Sequence, residues 1–493
     1  FKLKGVLKMS KINLEDDRNL SMLVDFYEFT MSNGYFENNL KDKIVYFDMF
    51  FRKNPDNAGF AITAGLEQVI EYIKGLNFNE RDIEYLRSRK LFNEEFLDYL
   101  LNFKFTGDIY AIQEGTPVFP NEPLLTIRAK VIEAQLIETM LLLTINHQSL
   151  IATKANRIKR AAEGREVLEL GSRRSQGYDA AIYGARAAYI GGIDGTANTI
   201  ADEMFGIKAV GTMAHSWIQL FGDEYKAFAT YAKTYPDNCI LLIDTYNVLK
   251  SGIINAIKVS KDILEPQGKE IKGIRLDSGD LAYLSKEVRK ILNINGLEKC
   301  KIIASNSLDE YIISDLMTQG ACIDVFGVGE RLITAKSEPV FGGVYKLVAV
   351  EEEGKISPRI KLSENIEKVT NPGYKTVWRL FDKESNKAIA DVLTLGDEII
   401  DDSKEYEIFD PVYTWKRKLL TNYYARKIQV PIFINGECVY KSPNLEEIRK
   451  YSLKQVDSLW DEVKRFTNPQ GYYVDLSEKL WQLKNNMIKE FRR

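Results

Sequence analysis

Between residues 166 and 335 short apolar runs alternate with helix-length segments. The runs EVLELG, IKAVGT, NCILLIDT, IKGIRLD, KIIASN and CIDVFGVG begin at residues 166, 207, 238, 271, 301 and 322. Near-continuous apolar runs of this length predict strands covered on both faces, and intervening stretches such as AYLSKEVRKILNIN predict the helices that cover them. The alternation predicts a parallel α/β module. Residues 21–150 follow another pattern, mixing strand-like runs such as KIVYFDMFF and GDIYAIQ with helix-like ones. In EGTPVFPNEPLLTIRA, Gly115, Pro117, Pro120 and Pro123 cut the apolar pieces too short for helices, so this region reads as a small β-rich domain. Val131–Ala162 lacks Gly and Pro and predicts one long helical stretch bridging into the α/β module. After about residue 345 the chain is strand-rich and charged and is expected to return to the N-terminal domain. The final segments SLWDEVKRF and SEKLWQLKNNMIKEF predict amphipathic helices on the outside.

The downstream ends of the predicted strands carry Arg173 and Arg174, Thr212 and His215, Asp244 and Thr245, Arg275, Asp277 and Asp280, Ser305 and Asn306, and Gly327 and Gly329. A (β/α) barrel gathers its active site at this end, because side chains from many strands converge there on a rigid frame. An open doubly wound sheet would collect them at a single switch point, so the even spread favours a barrel.

Composition narrows the function classes. The 493 residues carry a formal net charge of -3, which gives no bulk attraction to nucleic acid or to an anionic membrane. An anionic substrate must therefore be held by local arginines and backbone amides. The four cysteines lie far apart without CxxC or Cys/His spacing, which does not suggest a disulfide framework or a zinc site and best fits a reducing, cytoplasmic compartment. FKLKGVLKMS has no apolar core of signal-peptide length, and Met9 is a candidate natural start. No GxxxxGK[ST] loop and no strand-linked GxGxxG occurs, so a nucleotide would not be bound by either standard cradle.

The candidate chemistry sits in four motifs. In RLDSGDL, Asp277 follows a strand and Gly279 permits a tight turn, so both carboxylates could face a metal–phosphate or a developing cation; the plain alternative is a helix N-cap by Ser278 or Asp280. LGSRRSQG places two adjacent arginines at a strand exit, where one can fork onto a carboxylate or phosphate while the other pairs internally. FGVGERL offers amides after the last strand, an anion nest if they are free and a tight turn otherwise. GTMAHSW holds one of only two histidines. His147, inside LLLTINHQSL, reads as packing, whereas His215 follows a strand, starts a helix and adjoins Thr212 and Ser216, as a nucleophile or proton carrier would.

DFYEFTM, ELGSRRSQG, GGIDGTAN, GTMAHSW, LLIDTYN, IRLDSGDL, FGVGERLIT and KLSENIEKVTNPGYK, in this order, together resemble the nicotinate phosphoribosyltransferases. The resemblance covers about the first three quarters of the chain. It implies an α/β fold in which an irregular, incomplete (β/α) barrel joins a β-rich sandwich domain built from N- and C-terminal segments. The expected divisions are residues 9–145 for the N-terminal sandwich part, 146–345 for the barrel and 346–493 for the β return with peripheral helices. The implied reaction joins nicotinate to phosphoribosyl pyrophosphate, uses ATP and Mg²⁺, and takes place in a homodimer.

By the same resemblance His215 is the histidine phosphorylated from ATP. Asp244 and Asp277 lie near the ribose and its Mg²⁺, and Arg275 near a donor phosphate. Ser305, Asn306, Gly327 and Gly329 hold the 5′-phosphate; Thr212, beside His215, is a substrate-binding candidate whose hydroxyl could orient a ring or a phosphate. Arg173 and Asp194 lie near the pyridine, on which Tyr27 stacks from the partner subunit; without the resemblance Tyr27 reads equally well as core. Ser172 departs from the larger apolar residue expected at its place. Alternatives are a nicotinamide or quinolinate phosphoribosyltransferase of the same fold, or a non-enzymatic binding homologue that would have lost His215 or the aspartates. An aldolase-type barrel would need a Schiff-base lysine or a metal constellation at the strand ends, and neither is present there.

Overall fold

The computed structural model describes residues 19–365 and 368–491; Met9 lies outside them. The chain divides into two compact units, one formed by the segment up to Thr153 together with everything from Val340 onward, the other by Lys154–Pro339.

The first unit is built around a seven-stranded sheet in the order 355–358, 344–352, 44–50, 125–130, 108–112, 429–434 and 437–438, every neighbouring pair antiparallel. The central strand Ile44–Phe50 therefore pairs with a strand from the far end of the chain on one side and with a sequence neighbour on the other. A second sheet of four strands, 423–427, 375–382, 388–395 and 473–476, comes wholly from the C-terminal part. A buried ion pair links the two segments: Asp48 accepts from Lys375 Nζ at 2.8 Å and from Thr126 Oγ1 at 2.8 Å. Removing either partner would strand a charge in the core. The β-rich domain is thus assembled from both ends of the chain, as the charged C-terminal strands led us to expect.

The stretch Val131–Ala162, expected as one helical stretch, is instead two helices, Val131–Gln135 and the long Glu138–Ala161, separated by a turn at Leu136 and Ile137. At the other end of the chain the helix Glu478–Phe491 is as expected. SLWDEVKRF, in contrast, is not helical; the helix here is Leu445–Asp457 and the segment after it consists of turns. Tertiary partners take the carbonyls that a continuing helix would need. Lys387 Nζ donates to Asp457 O at 2.5 Å and Leu459 O at 3.1 Å, and Ala388 N–H donates to Ser458 O at 2.9 Å. Gly59 also packs here, since a Cβ on it would lie 2.0 Å from Val463 O.

The second unit contains a six-stranded, wholly parallel sheet in the order 195–196, 166–169, 325–328, 301–305, 273–276 and 240–242. The last strand in sequence pairs back onto the first: Val325–Val328 lies beside Glu166–Glu169. Each remaining strand lies beside its neighbour in sequence, which is the strand order of a barrel and not of an open doubly wound sheet. The ring stays open at one seam. IKAVGT, expected as a full strand, contributes only a bridge between Ala209 and Thr196, with Thr196 N–H donating to Lys208 O at 3.1 Å and Val210 N–H to Thr196 O at 2.8 Å. Beyond Val210 the chain leaves the ladder, and no described strand closes the gap to Ile240–Leu242. The barrel is therefore incomplete. Its core is packed by strand residues such as Leu241, Ile274 and Ile302 against Val288 and Leu292 of the helix Leu281–Ile294.

Candidate active site

The strand ends of the barrel deliver one connected set of polar side chains. Where the strand Gly273–Leu276 ends, Arg275 Nη2 donates to Asp277 Oδ1 at 3.1 Å and Arg275 Nε donates to Ser305 Oγ at 2.9 Å. The Ser305 hydroxyl in turn donates to Asp277 Oδ1. From the neighbouring strand end, Asp244 Oδ2 accepts from the Asp277 N–H at 3.0 Å and from Ser278 Oγ at 2.6 Å. The other Asp244 oxygen is buried and has no hydrogen-bond partner. A part-buried carboxylate with one oxygen clamped and one idle is suited to an incoming cation or donor group.

His215 begins the short helix His215–Phe221, which follows the break in the 207–212 strand. Its Nδ1 lies 3.1 Å from Thr245 Oγ1, and its Nε2 lies 3.9 Å from Asp277 Oδ2, beyond hydrogen-bond reach. If Nδ1–H donates to the Thr245 hydroxyl, Nε2 presents its lone pair on the side of Asp277. The side chain is 41% exposed, so a ligand can reach the ring. The Thr212 hydroxyl oxygen in the same loop is buried and without a partner.

His215, Asp244, Asp277, Arg275 and Ser305 are thus brought together. Asp280 is the helix cap that the plain alternative foresaw: its side chain accepts from Tyr283 N–H at 2.9 Å at the start of Leu281–Ile294. Arg173 and Arg174 form the short turn Ser172–Arg174 after the first barrel strand. Both are exposed, and among the described residues neither forms an ion pair, so the internal pairing expected for one of them is not made. Asn306 is exposed in the turn after Lys301–Ser305, where Asn306 and Ser307 both have positive φ, 87° and 52°.

Two glycines differ from expectation. Gly327 is not a free amide at the mouth but lies inside the strand Val325–Val328, paired to Ser305 on one side and Leu168 on the other. A Cβ there would sit 2.5 Å from Leu170 Cδ1, so the Leu170 side chain would have to shift to admit one. Gly329, one step past the strand, is part-exposed and caps the turn Glu330–Ile333. It approaches the arginine turn closely: a Cβ on Gly171 would lie 2.8 Å from Gly329 O. Asp194, expected near the pyridine, is held by its own neighbours. Its carboxylate accepts from Lys159 Nζ at 2.6 Å and from Val167 N–H at 2.8 Å, fastening the start of the 195–196 strand to its neighbour. Tyr27 belongs to the first unit, on the helix Phe26–Glu37, and is 46% exposed.

Sequence reasoning missed Glu169. This fully buried carboxylate ends the first barrel strand, accepts from the Gly171 N–H and accepts from Thr196 Oγ1 at 2.6 Å. Burial pushes its carboxyl above the ordinary range, while those two hydrogen bonds act in the opposite direction. Glu169 thereby ties the arginine turn to the adjacent strand end. The available signal was an acid within the apolar run EVLELG. Ser278 and Thr245, which hold Asp244 and His215, were likewise visible only as polar neighbours of more obvious residues. No group of three or more His, Cys, Asp or Glu is placed to hold a metal among the described residues, and no helix among them is long and apolar enough to cross a membrane.

The architecture and its mouth define a class, an incomplete parallel barrel with an aspartate, arginine and histidine site, joined to an antiparallel domain made from both chain ends. Comparison with known proteins takes this further. Family models for the nicotinate phosphoribosyltransferase (NAPRTase) N-terminal domain, the NAPRTase family and the nicotinate phosphoribosyltransferase C-terminal domain match residues 22–146, 166–392 and 374–484. The chain is 45% identical over 486 residues to a nicotinate phosphoribosyltransferase of Bacillus subtilis, covering 98% of each. It is 36% identical to one of Dictyostelium discoideum, covering 94% of this chain and 88% of that one. Among solved structures, human nicotinic acid phosphoribosyltransferase superposes with a TM-score of 0.83 at 28% identity, over 94% of this chain and 99% of that one. A nicotinate-nucleotide pyrophosphorylase from Pyrococcus furiosus gives 0.68 at 27% identity, over 90% and 97%. The chain belongs to the nicotinate phosphoribosyltransferase family.

Proposed function

We propose that this chain joins the ring nitrogen of nicotinate to the anomeric carbon of phosphoribosyl pyrophosphate, giving nicotinate mononucleotide and pyrophosphate, and that it couples this step to ATP hydrolysis through phosphorylation of His215. The observation that carries the reading is the 45% identity extending over 98% of both this chain and its Bacillus subtilis relative. In the glycosyl step the nitrogen lone pair forms the new bond, and pyrophosphate leaves with the electrons of the breaking carbon–oxygen bond. Positive charge builds on the ribose as it does so, and the carboxylates of Asp277 and Asp244 are the groups that stabilise it.

Arg275 has Nε and Nη2 committed to Ser305 and Asp277, which fixes the plane of its guanidinium and leaves Nη1 for a donor phosphate oxygen. The part-exposed Gly329 and the turn at Asn306 supply the surroundings of the 5′-phosphate. Arg173, exposed and unpaired, is available to the nicotinate carboxylate. In this reading the working form is a homodimer in which Tyr27 of one copy covers the pyridine ring bound by the other.

For the ATP step, an unprotonated Nε2 attacks the γ-phosphorus, the bond to the β-bridging oxygen breaks, and ADP departs. Water later cleaves the phosphohistidine to phosphate. A Thr245 hydroxyl that accepts from Nδ1–H holds the ring in the required tautomer. Mg²⁺ fits the carboxylates present: Asp244 has a buried, unpartnered oxygen, Asp277 stands beside it, and one or two carboxylates plus phosphate oxygens is the ligation this ion favours. When bound, the ion neutralises charge on the phosphates.

The test is incubation with γ-labelled ATP and Mg²⁺ of the wild type and of His215→Asn, followed by nicotinate and phosphoribosyl pyrophosphate. Acid-labile, alkali-stable label on the wild type only, discharged as nicotinate mononucleotide forms, is expected. Product formed without any label would remove the phosphohistidine from the scheme, and no product at all would refute the reaction.

A further inference from the structure

The helix that carries Tyr27 does not cap itself. Its N-cap residue Asp25 has extended backbone dihedrals, φ -64° and ψ 131°, and its side chain makes no capping bond. Glu28 occupies the third helical position, from which a capping box would return a hydrogen bond to the Asp25 N–H. A side chain from another helix takes that place. Thr139 Oγ1, in Glu138–Ala161, accepts from the Asp25 N–H at 3.1 Å and donates to Glu28 Oε1 at 2.6 Å. The box is closed through a borrowed hydroxyl.

The surroundings make this relay hard to replace. Glu28 is fully buried, so bulk solvent does not reach its carboxylate to take the place of the threonine. Burial pushes the Glu28 carboxyl up to about 7; the Thr139 bond and the nearby Asp25 N–H oppose this, while the charges of Glu138 and Asp25 add to it. Glu138, adjacent to Thr139, is held by Gln135 Nε2 at 2.8 Å, and burial, with the charge of Glu138 adding to it, pushes the Tyr27 phenol up. The remaining titratable groups facing this cluster are Tyr72, Tyr345 and Lys346. Thr139 therefore fixes the backbone of the first turn that carries the tyrosine.

We propose that Thr139 is a positioning residue for the pyridine substrate, setting the rotation of the Phe26–Glu37 helix start and thereby the plane of the Tyr27 ring. The proposal rests on the reading in which Tyr27 covers nicotinate. The substitution Thr139→Val keeps the shape and removes the hydroxyl. Because a lost hydrogen bond of this kind changes an equilibrium about five- to tenfold, the KM for nicotinate rises by about that factor, while kcat and the KM for phosphoribosyl pyrophosphate stay within about twofold. Thr139→Ser restores the nicotinate KM. Residues acting through one another are non-additive, so Thr139→Val adds nothing to Tyr27→Ala in the double variant. Thr139→Ala replaces Thr139→Val if melting shows that the valine variant does not fold.

A raised nicotinate KM in Tyr27→Ala with none in Thr139→Val would overturn the positioning role and leave Tyr27 in the pocket. No change in Tyr27→Ala would instead overturn the reading of Tyr27. Equal rises in both KM values in Thr139→Val would reduce Thr139 to a general structural role.

Discussion

Asp244 is the residue whose replacement tests the site most directly. One of its oxygens holds the Asp277 N–H at 3.0 Å and the Ser278 hydroxyl at 2.6 Å, so it fixes the turn that presents Asp277. Asp244→Ala removes both bonds at once. Hydrogen bonds to a charged partner contribute about 1.5–3 kcal/mol each, and the mouth is wet enough for water to reoccupy the donors, so the lower figure applies to both and the total is about 3 kcal/mol. At about 1.4 kcal/mol per factor of ten, kcat/KM for phosphoribosyl pyrophosphate falls by about two orders of magnitude. Asp244→Asn keeps an oxygen for the two donors and loses only charge. If alignment is the main role, it falls about tenfold or less; a loss equal to that of the alanine variant assigns the role to charge facing the ribose or Mg²⁺. The assay is initial-rate formation of nicotinate mononucleotide at saturating nicotinate and ATP with the donor varied. Activity of Asp244→Ala within fivefold of wild type would refute the reasoning.

Further expectations follow from other parts of the structure. Arg173→Ala raises the KM for nicotinate at least tenfold with a much smaller effect on the donor KM, as loss of a charge-assisted carboxylate contact would; equal effects in steady-state kinetics would remove Arg173 from the ring pocket. Asp391→Ala leaves the fully buried Arg379 without the carboxylate it meets at 2.8 and 2.6 Å, and costs about 3–5 kcal/mol in denaturant unfolding. A loss under about 1 kcal/mol would contradict the burial of that pair. Asp475 is buried near Asp410, and desolvation raises its carboxyl from 3.8 to about 7. The folded state thus holds a proton that the unfolded chain has lost between these values, so this group lowers stability as pH rises through that window and its penalty is complete above about 7. Asp475→Asn accordingly raises Tm more at pH 8 than at pH 4, and an equal gain at both would refute the assignment.

How much of this was legible in the sequence differs from one feature to the next. Asp277, Arg275, Asp244, Ser305 and His215 were visible because each follows an apolar run, and the end of a strand is a local property. Gly327 was visible as a glycine, but its place inside the strand ladder was not. FGVG reads as an amide nest until Leu170, far away in sequence, is seen at its Cα. Asp194 sits in IDGT like a site residue, yet Lys159 and Val167 claim it at the start of its strand.

By itself the sequence determined the alternation of strands and helices, the parallel α/β module, the chemistry at its strand ends and the long helix Glu138–Ala161. These depend on side-chain periodicity and turn residues, which act over a few positions. Only the tertiary structure decided that Val325–Val328 closes onto Glu166–Glu169, that IKAVGT is left as a single bridge beside an open seam, and that Ile44–Phe50 pairs with Val344–Glu352. It also decided that SLWDEVKRF gives up its helix to Lys387 and Ala388, and that the turn bearing Tyr27 is capped by Thr139. Each of these rests on groups separated by long stretches of chain, whose meeting is set by the balance of loop-closure entropy against packing and not by any local preference.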